Sequence, residues 1–194
     1  LVPLFLTSAI FTMSLLQSIG RVALGTALLL LIPLTAKLFL TDMAWTLFDF
    51  VAAGILLFGA GLTFVLFARM GNNATYRVAV GVAVAAGLLL VWVNLAVGFI
   101  GSEDNPANLL YGGVLAVAIV GALVARFRPL GMAHSMFAAA LTQFLVPLVA
   151  AAIWKPEVDK GMMQVLVLNT VFAAIWAASG WLFRRAGRSA QVAF

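Results

Sequence analysis

The chain has 194 residues, 65% hydrophobic and 9% charged, with a mean hydropathy of +1.17, where a soluble domain carries about 25% charged residues. That composition excludes a soluble globular domain and points to a bilayer. The net charge of +5 never gathers into a basic run or an aromatic-interleaved patch, which argues against a nucleic-acid partner. Cysteine is absent and His134 is the single histidine, so disulfides, thiolate chemistry, cysteine-ligated metals and a bis-histidine haem within the chain are excluded.

About 20 apolar residues cross a ~30 Å hydrocarbon layer, and the chain divides on that scale. Residues 1–20, LVPLFLTSAIFTMSLLQSIG, are apolar and about one span long, but are seeded with Thr7, Ser8, Thr12, Ser14, Gln17 and Ser18. Without an initiating Met or a basic leader they do not read as a signal peptide. A seventh span, an interfacial segment and a truncated start all stay open, and the seventh span is carried forward as the expectation. Six blocks then follow, at 22–41, 44–69, 76–101, 107–126, 131–154 and 161–183. The expected fold is an all-α membrane protein, one domain over 1–194, with six transmembrane helices plus an N-terminal seventh and short loops.

The breaks carry stop and start chemistry. Gly71 suits a left-handed helix end and Thr75 the next cap, and Arg128-Pro129-Leu130-Gly131 cannot continue a helix unbroken. Lys155-Pro156-Glu157-Val158-Asp159-Lys160-Gly161 is a polar turn. Between the third and fourth blocks, 102–105 reads as a turn of minimal length, with Asp104 or Asn105 as cap and Pro106 at the first helical position. Water channels of the aquaporin type use two Asn-Pro-Ala tripeptides at mid-membrane; the single copy here, Asn105-Pro106-Ala107, lies at the rim. Capping explains it without a pore.

With alternating helices, all eight arginines fall on one side and no acid joins them, whereas six acids and three lysines fall on the other, a sum of −3. The positive-inside rule then places the arginine side and the C-terminus in the cytoplasm. The N-terminus is inside for six spans and outside for seven. Arginines at that side attract anionic headgroups, at about 1 kcal/mol each.

Polar groups at membrane depth need partners, and ionisable ones are functional suspects. Lys37 and Asp49 each lie about a turn from the same rim, where an ion pair across the hairpin is expected, against solvation at the interface or proton handling. Asn94, Gln143 and Asn169 lie well inside their blocks, where hydrogen bonding between helices competes with the lining of a narrow path. His134 follows the Arg126–Gly131 break by one turn, at headgroup depth, where a proton-sensitive role competes with that of an interfacial or hydrogen-bonded histidine. Small residues, among them Gly54, Gly59, Gly61, Gly112 and Gly121, are the expected helix contacts.

The stretch Trp92-Val93-Asn94-Leu95-Ala96-Val97-Gly98-Phe99-Ile100-Gly101-Ser102-Glu103-Asp104-Asn105-Pro106-Ala107-Asn108 resembles that of a group of small polytopic bacterial inner-membrane proteins. The resemblance runs over about residues 21–150, through Ala125-Arg126-Phe127-Arg128-Pro129. It implies a bacterial inner membrane and brings no chemistry with it.

No HExxH, GxSxG, histidine cluster or paired mid-membrane aspartates occur, and no lysine lies between Met162 and Arg188 to hold retinal. Neither an enzyme, a cofactor nor a metal is expected. Two functions survive. One is a non-catalytic accessory, scaffold or lipid-interacting bundle with a membrane-protein partner. The other is a small permease or channel for a small solute or proton, alone or self-assembled as a homo-oligomer, whose two three-helix halves would be inverted in the membrane.

Overall fold

In lipid every backbone N–H and C=O must be satisfied within its own segment, so long apolar runs become helices. The computed structural model describes residues 15–39, 45–71, 73–154 and 160–191, and among these no strand occurs. Among the described residues six helices follow in order: α1 (Leu15–Phe39), α2 (Leu47–Ala68), α3 (Ala74–Ala96), α4 (Leu110–Val124), α5 (Pro129–Trp154) and α6 (Lys160–Gln191). A 3-10 turn, Pro106–Leu109, leads directly into α4. All six are long and apolar enough to cross a membrane, counting the 3-10 turn with α4.

The start of α1 differs from the expected boundary. Leu15 to Gly20 run into Arg21 as one helix, so they belong to the first span and not to a separate one. A lone glycine inside a helix costs only about 1 kcal/mol, and Gly20 has nothing else to break the helix with. Residues 1–14, which hold the rest of the expected seventh span, lie outside the described residues.

Contacts divide the chain into two units, Leu1–Val65 and Leu66–Phe194. In the first, α1 and α2 meet through glycine. A Cβ on Gly61 would come 2.6 Å from Val22 Cγ1, and one on Gly54 would come 3.4 Å from Leu30, whereas one on Gly59 would meet nothing within 4 Å. The start of α2 is closed by a capping box. Thr46 Oγ1 accepts the Asp49 N–H at 3.4 Å, and Asp49 Oδ2 accepts the Thr46 N–H at 2.6 Å and its hydroxyl at 2.8 Å. α1 has no buried residue along its whole length.

In the second unit α6 is central, lying along α5 on one side and α3 on the other, with α4 along α5. The core is built from Tyr76, Leu90, Val114, Phe172, Trp176 and Phe183, with alanines such as Ala79, Ala86 and Ala139 where backbones approach. Serine hydroxyls bridge helices: Ser179 donates to the Ala79 carbonyl at 2.9 Å, and Ser135 to that of Ala118 at 3.0 Å. Ser135 also fills the space beside Gly121, so that glycine is a helix contact as expected; Gly112 faces open space.

One end of this unit is fixed by Tyr76. Its hydroxyl donates to the Phe127 carbonyl at 2.9 Å, its ring lies edge-on to Phe183 at 5.2 Å, and Asn73 caps α3 while donating to the Ala186 carbonyl at 3.2 Å. Arg126 and Phe127 both adopt left-handed backbone, with φ of 48° and 57°, at about 1–2 kcal/mol each. Here the Phe127 carbonyl is held by Tyr76 and its ring stacks on Phe67 at 4.5 Å. Arg77, Arg126, Arg128, Arg184, Arg185 and Arg188 belong to the helix ends gathered here, and Arg185 lies 4.5 Å over the Trp181 ring. Glu103 and Asp104 belong to the opposite end.

Candidate functional site

The stretch between α3 and α4 is longer and more ordered than a minimal turn. α3 stops at Ala96, and the N–H groups of Val97 and Gly98 both return to the Val93 carbonyl at 3.0 Å. Gly98 takes φ +70° and Gly101 φ +69°. A Cβ on Gly98 would come 2.5 Å from the Ser102 carbonyl oxygen and 2.6 Å from Asn108 Nδ2. Glycine is required there on both counts. The expected end of the third span, near Gly101, is therefore corrected to Ala96. Val97 to Ile100 are apolar because Phe99 is in the core, not because they are helical.

Asn108 organises the segment. Its Oδ1 accepts the N–H groups of Phe99 and Ile100 at 3.0 and 2.9 Å, and its Nδ2 donates to the carbonyls of Ile100 and Ser102 at 3.3 and 2.7 Å. Of the two expected caps, Asn105 is the one used, accepting the Ala107 N–H at 2.9 Å ahead of Pro106. Sequence reasoning missed Asn108. The available signal was a second asparagine one turn after the first, following glycines at 98 and 101.

Phe99 stands on this loop with its ring 4.6 Å from Tyr111 and 5.0 Å from Phe172. It also lines a cavity of about 630 Å³ bounded by the loop, the end of α5 and the start of α6. The deep wall is Pro147, Ala150, Val165 and Leu168; Asn105 and Gln164 stand nearer the helix ends.

Deeper in the unit, two of the expected polar residues meet. Gln143 and Asn169 are fully buried, and Gln143 Nε2 donates to Asn169 Oδ1 at 2.9 Å. Asn169 Nδ2 donates on to the Val165 carbonyl at 2.8 Å. Pro147, having no N–H, cannot serve the Gln143 carbonyl one turn before it. Gln143 Oε1, the Tyr111 hydroxyl and Trp176 Nε1 are buried with no hydrogen-bond partner among the described residues. The cluster is neutral and offers no nucleophile–base pair. Replacing Gln143 by leucine is expected to lower stability by about 1 kcal/mol, within the ~0.6–2 kcal/mol of intramembrane hydrogen bonds; unfolding in mild detergent measures it.

The other expected residues stand apart from this cluster. Asn94 lies in the last turn of α3, not well inside a span, because the helix is shorter than expected; its Nδ2 returns to the Leu90 carbonyl at 2.8 Å and its Oδ1 has no hydrogen-bond partner among the described residues. His134 is on an exposed face in the second turn of α5. In the first unit Lys37 donates to the Trp45 carbonyl and lies 5.9 Å over the Phe50 ring, while Asp49 serves the capping box. A direct Lys37–Asp49 ion pair is not among the contacts of the described residues. Asp49→Ala is expected to speed hydrogen exchange in the first turn of α2 while leaving membrane insertion unchanged.

The chain matches no protein-family model, no curated protein and no solved structure. Among the described residues no group of three or more His, Asp or Glu is placed to hold a metal ion.

Proposed function

We propose that this is a non-catalytic membrane protein, an accessory or scaffold that works through its lipid- and protein-facing surface. The observation that carries this reading is α1: 25 residues long with none buried, it offers large apolar side chains such as Leu16, Leu24, Ile32 and Leu38, each more than three-fifths exposed. Between helices lipid supplies no hydrophobic drive, so a helix is retained by close packing and polar contacts. Among the described residues α1 buries no side chain, and a second membrane protein that packs on it supplies close contacts. Gentle purification from native membrane, with photo-crosslinkers at Leu24 and Leu28, is expected to recover one stoichiometric membrane partner joined through α1. Adducts with lipid alone would remove the reading.

The rival permease reading has the buried Gln143–Asn169 pair in its favour, since amides at depth can line a path. It requires solute or proton flux in liposomes that Gln143→Leu abolishes.

The resemblance to bacterial inner-membrane proteins and the gathering of arginines at one end support an inner-membrane protein with that end, and the C-terminus, in the cytoplasm. Because the chain lacks cysteine, single-cysteine variants report this cleanly. In intact cells an impermeant maleimide is expected to label Asp104→Cys and to miss Arg188→Cys until the membrane is opened. Labelling of both from one compartment contradicts the topology.

A further inference from the structure

We propose that the cavity at the Glu103–Asp104 end of the second unit is a binding pocket for one uncharged, single-chain amphiphile drawn from the membrane. This deepens the lipid-interacting side of the function above and rests on it.

Size comes first. At about 630 Å³ the cavity falls within the ~300–1,000 Å³ of small-molecule pockets. At roughly 30 Å³ for each water-sized group that is room for about twenty heavy atoms, one short acyl chain with its polar end. Depth agrees with this. Leu168 lies about 12 Å along α6 from Lys160, and Pro147 about 10 Å along α5 from Trp154, at 1.5 Å per residue.

Chemistry then fixes the class. Pro147, Ala150, Val165 and Leu168 make the deep part apolar, and among the described residues none of the lining is charged. A charged group carried into the deep part would lose its hydration with no charged partner among the described residues. Hydrogen bonding is available nearer the helix ends, where Gln164 is exposed and Asn105, whose Oδ1 is committed to the Ala107 N–H, keeps its amide Nδ2 beside Gly101. A hydroxyl or ester end therefore sits at the rim, with the tail directed inward. The wall is already in place before the ligand arrives, because Asn108 holds residues 99–102 by four hydrogen bonds, which lowers the ordering cost of binding.

The test uses the full chain in phosphatidylcholine nanodiscs with a monoacylglycerol carrying a diazirine in its tail. Irradiation is expected to place adducts on 97–101 and 165–168 at least about fivefold above those on lipid-facing α1. Unlabelled monoacylglycerol in excess should compete with the pocket adducts, and lysophosphatidylglycerol of equal chain length should not. Ala150→Trp should remove the pocket adducts and leave those on α1. Adducts spread evenly over lipid-facing helices, or equal competition by the charged lipid, would overturn the proposal; both are read on the unaltered chain, so the result does not depend on the variant folding. A chain that still captures a protein partner through α1 but fails this competition loses the pocket alone. Failure of partner capture with competition intact loses only the scaffold.

Discussion

Asn108→Ala is expected to lower the stability of the second unit by about 3 kcal/mol, since each buried polar group left unpaired costs about 1–3 kcal/mol. The side chain is buried and serves two N–H groups and two carbonyls. Alanine strands the N–H groups of Phe99 and Ile100 at a depth where little water replaces their partner. Asn105→Ala, one turn earlier, removes an ordinary cap and is expected to cost about 1 kcal/mol. Unfolding in mild detergent gives the ranking, and hydrogen exchange locates it: exchange at Phe99 and Ile100 should accelerate in Asn108→Ala and change little in Asn105→Ala. Equal losses for the two variants would mean that the loop is held by something other than Asn108.

The second large effect is at the arginine end. Tyr76→Ala is expected to cost about 3–5 kcal/mol, as for other large aromatic truncations in packed sites, whereas Tyr76→Phe should cost only about 1 kcal/mol, the net worth of one hydrogen bond. The difference follows from what each part touches. The ring packs against Phe183 and fills the space beside Gly71, and the hydroxyl holds the Phe127 carbonyl. Truncation also releases the elbow at Arg126 and Phe127, whose left-handed backbone is costly by itself. Limited trypsin treatment should therefore cut after Arg126 in Tyr76→Ala far faster than in Tyr76→Phe. Equal cutting would place the restraint on the elbow elsewhere.

The six spans were legible because hydropathy over a whole span is a sum of many side chains, and single polar residues do not reverse it. Boundaries were less legible, and for opposite reasons at two places. At the start of α1, an apolar run about one span long ahead of Arg21 suggested a separate segment, yet Leu15 to Gly20 contain no proline and continue the helix. At the end of α3, Val97 to Ile100 stay apolar after the helix has stopped, because Phe99 packs against Tyr111 and Phe172. Gly98 carried the information that the backbone turns there, but among 17 glycines it was not distinguishable. Gln143 and Asn169 were recognisable as polar groups needing partners. That they partner each other depends on how α5 and α6 are rotated, which their spacing in sequence does not reveal.

α6 follows α5 in the chain, and both α3 and α5 lie along it. Until it emerges, the Gln143 amide has no Asn169 to receive it and faces lipid or the insertion machinery. A chain interrupted ahead of Asn169 therefore leaves the Gln143 amide without the acceptor that the folded unit supplies.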